Sequence, residues 1–322
     1  MSDTASQQHN PAQLYCLPDG KALVLRTCNA ELQAHGGFQW PESGPVSCPD
    51  WDPKPKCGNG LHGLLWGQGD GDLVSWNAEA KWMVVEVEAA ACVELSGKVK
   101  FPSGTVIFCG DRLGATALVA QHAPAGTSIV GGTATAGTWG TATAGYSGTA
   151  TAGDRGTATA GDSGTATAGD RGTATAGDEG TATAGDRGTA TAGTWGTATA
   201  GDRGTATAGD KGTATAGDEG TATAGTWGTA TAGYSGTATA GDRGTATAGD
   251  KGTATAGTWG TATAGDRGTA TAGYSGEIVI RWWDAKHQRT RSSFGYIGED
   301  GLLPGVAYTL DDDHKFVPAD EQ

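Results

Sequence analysis

Apolar and polar positions follow two different rhythms along this chain, and each rhythm predicts a different kind of structure. From Thr133 the unit Thr-Ala-Thr-Ala-Gly-x-x-Gly recurs every eight residues as far as Gly276, in eighteen copies without an insertion. Only the x-x pair varies, as Asp-Arg, Asp-Lys, Asp-Glu, Asp-Ser, Thr-Trp or Tyr-Ser. Thr-Ala-Thr-Ala is a period-two strand, with both Thr on one face and both Ala on the other. Gly-x-x-Gly reads as a turn, with glycines on either side of the pair available for positive φ. A helix is excluded: two Gly per octad cost about 1 kcal/mol each against Ala, Thr is β-branched, and a period of eight does not fit 3.6. An unbroken register over residues 133–276 also argues against a disordered Gly-rich linker.

Eight residues are too few to close a coil around an interior. Two units make the smallest flattened coil, with two strands and two turns in 16 residues. The expected fold is therefore an all-β repeat, a two-sided β-solenoid of nine coils. At about 4.8 Å per rung these span roughly 43 Å. Ala inward gives a thin dry core, whereas Thr inward would bury hydroxyls without partners. Ala burial contributes little per residue, so the backbone ladder and sealed ends must hold the rod together. Residues 277–322 read as a C-terminal cap in which Ile and Trp replace Ala, as in Glu277-Ile-Val-Ile-Arg-Trp-Trp283. Residues 111–132 read as an N-terminal capping coil. The stretches Gly104-Thr-Val-Ile-Phe-Cys-Gly-Asp-Arg112 and Gly126-Thr-Ser-Ile-Val-Gly-Gly132 look like degenerate repeats with larger apolar residues.

The second rhythm belongs to residues 1–110, which predict a small α+β or mostly-β domain. Strand candidates are residues 22–28, 81–88 and 99–109, separated by a long Pro/Gly/Trp loop over residues 35–76. All six cysteines (Cys16, Cys28, Cys48, Cys57, Cys92 and Cys109) fall here without a CxxC pair. Cys48, Cys57 and His62 match no zinc spacing, so core cysteines and a loop histidine are expected, with no metal and no cofactor. A hydrolase or transferase needs a nucleophile with an orienting base, and only scattered His35, His62 and Glu86 are on offer. No catalytic residues are assigned and the chain is not read as an enzyme.

Composition narrows the field further. With 57 Gly but only 11 Pro the chain is not collagen-like. The net charge of −14 divides as −5 over residues 1–132, −5 over 133–276 and −4 over 277–322. No basic patch results, which argues against nucleic acid and anionic membrane surfaces as partners. The opening MSDTASQQHNPAQ lacks the apolar core of a secretory signal, and no run reaches the length of a membrane span. A cytoplasmic protein is expected, or one associated with the cell surface by a nonstandard route.

Stacking at 16 residues sorts the threonines into two faces, both expected to bind ice or ordered water. One carries Thr133, Thr135, Thr149, Thr151, Thr165, Thr167, Thr181, Thr183, Thr197, Thr199, Thr213, Thr215, Thr229, Thr231, Thr245, Thr247, Thr261 and Thr263. The other carries Thr141, Thr143, Thr157, Thr159, Thr173, Thr175, Thr189, Thr191, Thr205, Thr207, Thr221, Thr223, Thr237, Thr239, Thr253, Thr255, Thr269 and Thr271. The turns sort likewise into two edges. One holds the successive Asp-Arg pairs of Arg155, Arg171, Arg187 and Arg203; the other holds Tyr146, Trp195, Trp227, Trp259 and Tyr274. An assembly contact through these edges, giving a homo-oligomer, is the expectation beside that of plain solvated turns.

Thr-x-Thr strands followed by Ala-Gly-Tyr or Ala-Gly-Asp-Arg resemble the repeats of bacterial ice nucleation proteins. The segment Ile280-Arg-Trp-Trp-Asp-Ala-Lys286, then Gly298-Glu-Asp-Gly301, then Gly305-Val-Ala-Tyr-Thr-Leu-Asp-Asp-Asp313 is similar in order and spacing to that family's C-terminal cap. The resemblance covers residues 133 to about 317 and implies a solenoid that orders water on flat threonine arrays, acting in ice binding or nucleation. Two departures stand out: both faces here are Thr-Ala-Thr where the family alternates with Ser-rich strands, and residues 1–132 do not resemble its membrane-associated N-terminal domain. The alternative to ice activity is a rigid, self-assembling scaffold or spacer.

Overall fold

The fold is described for residues 15–34 and 36–321 of a computed structural model; His35 lies outside the described residues. Residues 21–122 form seven strands and a helix: β1 (Lys21–Cys28), β2 (Gly44–Ser47), β3 (Leu61–Leu65), β4 (Lys81–Glu88), β5 (Val93–Leu95), β6 (Lys98–Phe101), β7 (Ser103–Gly110) and α1 (Arg112–His122). The strands make one sheet in the order β2-β7-β4-β1-β3-β6-β5, antiparallel at every pairing. Leu23, Leu25, Trp82 and Val84 face α1, where Ala115 and Val119 meet them. Ala22, Val24, Met83, Val85 and Val87 face the other way, onto Trp40 and Phe101. Burial on both faces explains why β1 and β4 read as apolar runs rather than alternating strands.

The reading of residues 104–112 as a degenerate repeat is corrected here. Residues 103–110 pair antiparallel with both β2 and β4, and a bulge between Val84 and Val85 shifts the register. Parallel stacking on the array is closed to a strand whose two edges are already paired. The chain then turns helical because Asp111 caps α1, its Oδ1 accepting from Gly114 N at 2.7 Å.

The array folds as two parallel sheets, each containing nine strands of the repeat. Partners lie 16 residues apart and in register, as Thr197 on Thr213 and Ala198 on Ala214. The inward Ala of neighbouring strands form one continuous buried column from Ala142 to Ala272. Ala198, Ala206 and Ala214 are 0% exposed.

The turns differ from the sequence expectation in a physically instructive way. Left-handed backbone falls not on the repeat glycines but on the second residue of each x-x pair, from Trp139 through Arg155 and Lys211 to Ser275, with φ between 48° and 63° in all eighteen units. The glycines are required for space. A Cβ on Gly156 would sit 2.7 Å from Ala152 Cβ and 2.8 Å from Gly153 O. A Cβ on Gly153 would sit 2.8 Å from Thr138 N in the preceding coil. Consecutive coils pass too closely at the corners for any side chain there.

The C-terminal end of the Ala column is closed by bulkier residues. At the N-terminal end Ala134 and Ala136 are only half-buried; Ile129 and Val130 join the α1 side of the sheet core instead, and Gly145 N donates to Ile129 O at 2.9 Å. At the other end the strand Glu277–Asp284 stacks parallel on Thr261–Ala264 as a tenth rung, with Ile278 and Ile280 in place of Ala. The strand Arg289–Tyr296 then pairs antiparallel with it and ends the sheet. The second sheet ends on Tyr308–Leu310 and Phe316–Pro318, also antiparallel. Tyr308 is buried and its Oη accepts from Leu303 N at 2.7 Å. Asp284 is held in the cap by Arg291 and by His287, whose Nδ1 lies 2.7 Å from Oδ2. The Arg291 guanidinium, with help from His287, keeps the Asp284 carboxyl well below the ordinary carboxylate range.

Candidate functional site

Each Thr-Ala-Thr-Ala strand sends its two Ala inward and its two Thr outward, so the rod presents two threonine faces. The two threonines of a strand are not equivalent. The first is exposed in fifteen of the eighteen strands, as at Thr197 and Thr205, with Thr181, Thr261 and Thr269 half-buried; the second is half-buried everywhere but at Thr135. Each face therefore carries an exposed column beside a recessed one. In-register parallel pairing sets the rows about 4.8 Å apart, and the two threonines of a strand lie about 6.7 Å apart. Restriction of χ1 keeps each methyl and hydroxyl in the orientation of its neighbours.

The edges are built from the turn pairs, and here the aspartates have a role that the sequence did not announce. Asp186 Oδ1 accepts from Asp202 N at 3.0 Å, and Asp210 Oδ1 from Thr226 N at 2.8 Å. The same bond links Asp154 to residue 170, Asp178 to 194 and Asp242 to 258. From the second coil onward the carboxylates thus tie each coil to the next through backbone N–H groups, in bonds strengthened by the acceptor's charge. The arginines stand outside this ladder. Arg155, Arg171, Arg187 and Arg203 line one groove of about 720 Å³ along the first edge. Arg203 bonds Glu219 of the following coil at 2.7 Å and holds that carboxyl below its ordinary range.

Aromatic turns stack under cations one coil further on. Arg155 lies 4.8 Å from the Trp139 ring centroid, Lys211 4.4 Å from Trp195 and Arg243 4.8 Å from Trp227. Such pairs contribute on the order of 0.5–1 kcal/mol at exposed sites. A spacing of 16 between an aromatic and a cation was the sequence signal for them. Trp195, Trp227, Trp259 and Tyr274 remain exposed. Tyr146 is placed differently: it is half-buried, 5.6 Å from Trp76, and fills the space where a Cβ on Gly71 would be. It belongs to the joint between the N-terminal sheet and the first coil.

In the N-terminal sheet His62 is half-buried on β3, and burial lowers its pKa, with Lys98, Arg26 and Lys100 adding to the effect. Glu86 forms an ion pair with Lys21 at 3.5 Å, on the opposite side of the sheet order from His62. Cys48, Cys57 and His62 line one cleft. Among the described residues, however, no three His, Cys, Asp or Glu side chains come together to hold a metal ion. Nor is any described helix long and apolar enough to cross a membrane.

Fold and faces together define the class: a threonine-bearing β-solenoid of about nine coils behind a β-rich N-terminal domain with one helix. Its curated homologues are ice nucleation proteins. The ice nucleation protein InaU of Pantoea ananas is 40% identical over 108 residues, 33% of this chain and 10% of that protein. An ice nucleation protein of Pseudomonas syringae is 44% identical over 112 residues, 34% of this chain and 10% of that one. One from Xanthomonas campestris pv. translucens is 43% identical over 106 residues, 32% and 7% of the respective chains. The chain thus spans a tenth or less of the length of these relatives. Residues 22–121 match a family described as a domain of unknown function, DUF7666. No solved structure matches.

Proposed function

We propose that this protein organises water on its two threonine faces and acts in ice binding or nucleation. The observation that carries the reading is the in-register stacking of Thr on Thr through both sheets, over a core of Ala packed on Ala. A row of restrained methyls and hydroxyls, half apolar and half hydrogen-bonding, can hold a water layer whose spacing is fixed by the protein. Such a layer merges with a growing ice plane without first paying the entropy of ordering the surface. The curated relatives named ice nucleation protein support the same reading. All thirty-six strand threonines of the array are proposed to take part, with the exposed columns contacting water most directly. The exposed aromatic edge, Trp195, Trp227 and Trp259, is proposed as a contact between copies of the chain, which would widen the ordered surface.

Droplet freezing and thermal hysteresis on the purified chain test this. Substituting Thr197, Thr213 and Thr229 by Lys interrupts one face, and Thr205, Thr221 and Thr237 by Lys the other. Breaking the active face should move both readouts toward those of buffer, with circular dichroism unchanged. If both series leave freezing and hysteresis where they were, the water-ordering reading is wrong and the array is a rod or scaffold.

A further inference from the structure

Charged Arg26 occupies an unusual place in the N-terminal sheet. It sits within β1, on the face that carries Ala22, Val24 and Cys28, where the neighbouring side chains are apolar. Its guanidinium stacks on Trp40, 3.8 Å from the ring centroid, and Trp40 is 1% exposed. Nη1 donates to His62 O at 3.0 Å and Nη2 to Thr27 O at 3.4 Å. Of the five N–H donors of a guanidinium, Nε has no partner here. Among the described residues no carboxylate pairs with it. Burial pushes the neighbouring Cys28 thiol up, an effect that Arg26 partly offsets.

A cleft of about 680 Å³ opens against this group. Three buried polar atoms in its lining residues have no hydrogen-bond partner: Arg26 Nε, Trp40 Nε1 and His62 Nε2. Lys98 contributes a second cation, and Phe38, Leu61 and Leu73 give it apolar walls. Two carboxylates also line it, yet neither is within ion-pairing distance of Arg26. Asp50 instead accepts from Cys48 Sγ at 2.9 Å; Asp72 lies in the short turn after Asp70. A half-buried cation without an anion is costly to maintain, and a planar guanidinium beside an aromatic wall suits carboxylate and phosphate groups.

We infer that this cleft binds a small organic anion, its carboxylate or phosphate on the Arg26 guanidinium and its apolar body against Phe38 and Leu73. The size fits a small-molecule pocket with few polar anchors. The site is separate from the threonine faces and stands or falls independently of ice activity.

Calorimetric titration of the full chain with benzoate, phenyl phosphate, inorganic phosphate and benzylamine tests the inference. Benzoate or phenyl phosphate should bind, and benzylamine should not. Inorganic phosphate binding as well as phenyl phosphate would show that the apolar walls contribute nothing, overturning the organic part of the assignment. Arg26→Met should weaken anion binding at least tenfold while raising the melting temperature of the unliganded N-terminal domain, since it removes an uncompensated, half-buried charge. Lys98→Met, on the cleft margin, should weaken binding less and leave stability unchanged. The inference is overturned if no anion binds tighter than about 10 mM, if Arg26→Met binds as the parent does, or if that variant melts lower, as a purely structural arginine would require.

Discussion

The N-terminal sheet and the array solve the same problem, holding strands together, with opposite materials. In the sheet, bulky side chains of mixed shape pack on both faces, Leu23, Leu25 and Val84 on the α1 side and Met83, Val85 and Phe101 on the other. In the array every interior position is Ala, and the specific bonds run through the backbone and the aspartate ladder. The sheet is therefore specified by side-chain shape, and the array by repetition and by closeness of approach. What an irregular core gains from volume, a repeat gains from stacking the same small interface many times. Ala in the interior lets the two sheets lie near each other, and in-register pairing stacks threonine on threonine from coil to coil.

The sharpest way to break this comparison is to attack each unit by its own logic. Phe101→Ala leaves a cavity in the sheet and should cost about 3–5 kcal/mol. Gly204→Ala adds one methyl, but its Cβ would meet Ala200 Cβ at 2.7 Å and Gly201 O at 2.8 Å; overpacking of this kind should cost about 1–3 kcal/mol. Hydrogen exchange followed along the chain reads both. The first should expose the N-terminal strands together, the second only the coils adjoining Gly204, because a repeat contacts chiefly its neighbours. Uniform loss across all nine coils would show the array to be one cooperative unit instead.

Acid should next separate the C-terminal cap from the array. The Asp284 carboxyl, held by Arg291 and His287, titrates lower in the folded chain than in the unfolded one. Its stabilisation is thus complete above the ordinary carboxylate range and is lost as pH falls below about 4. Protection of the strand Glu277–Asp284 should fall over that window, and Asp284→Asn should reduce it already at neutral pH. A cap equally protected at low pH, or unaffected by the substitution, would assign its stability to Ile278, Ile280 and Tyr308 alone.

The smallest expected effect concerns the turns. Ser163 holds φ at 53° without glycine's freedom. Ser163→Asn, a residue that tolerates this region better, should stabilise by about 0.5 kcal/mol, read as a rise in melting temperature. A fall would mean that the corner is too crowded for the larger side chain.

Much of this molecule was legible in the repeat. Period two within the strand told inside from outside, because successive side chains point to opposite faces. The eight-residue unit told coil size, because one strand and one turn cannot enclose a core. Ile278 and Ile280 announced the closing rung, since larger residues appear where the Ala column must end. Other features depend on neighbours that only folding supplies. The residue taking left-handed backbone was decided by corner crowding, which claims the glycines for space and leaves φ to the second turn residue. Whether residues 104–112 joined the array or the sheet was decided by pairing already present on β2 and β4. Arg26, Trp40 and His62 are far apart in sequence, and nothing in their spacing foretold a shared cleft. A short period is written in local sequence because each unit meets copies of itself, whereas an irregular core and the clefts beside it arise from residues that meet only once, after the chain has closed.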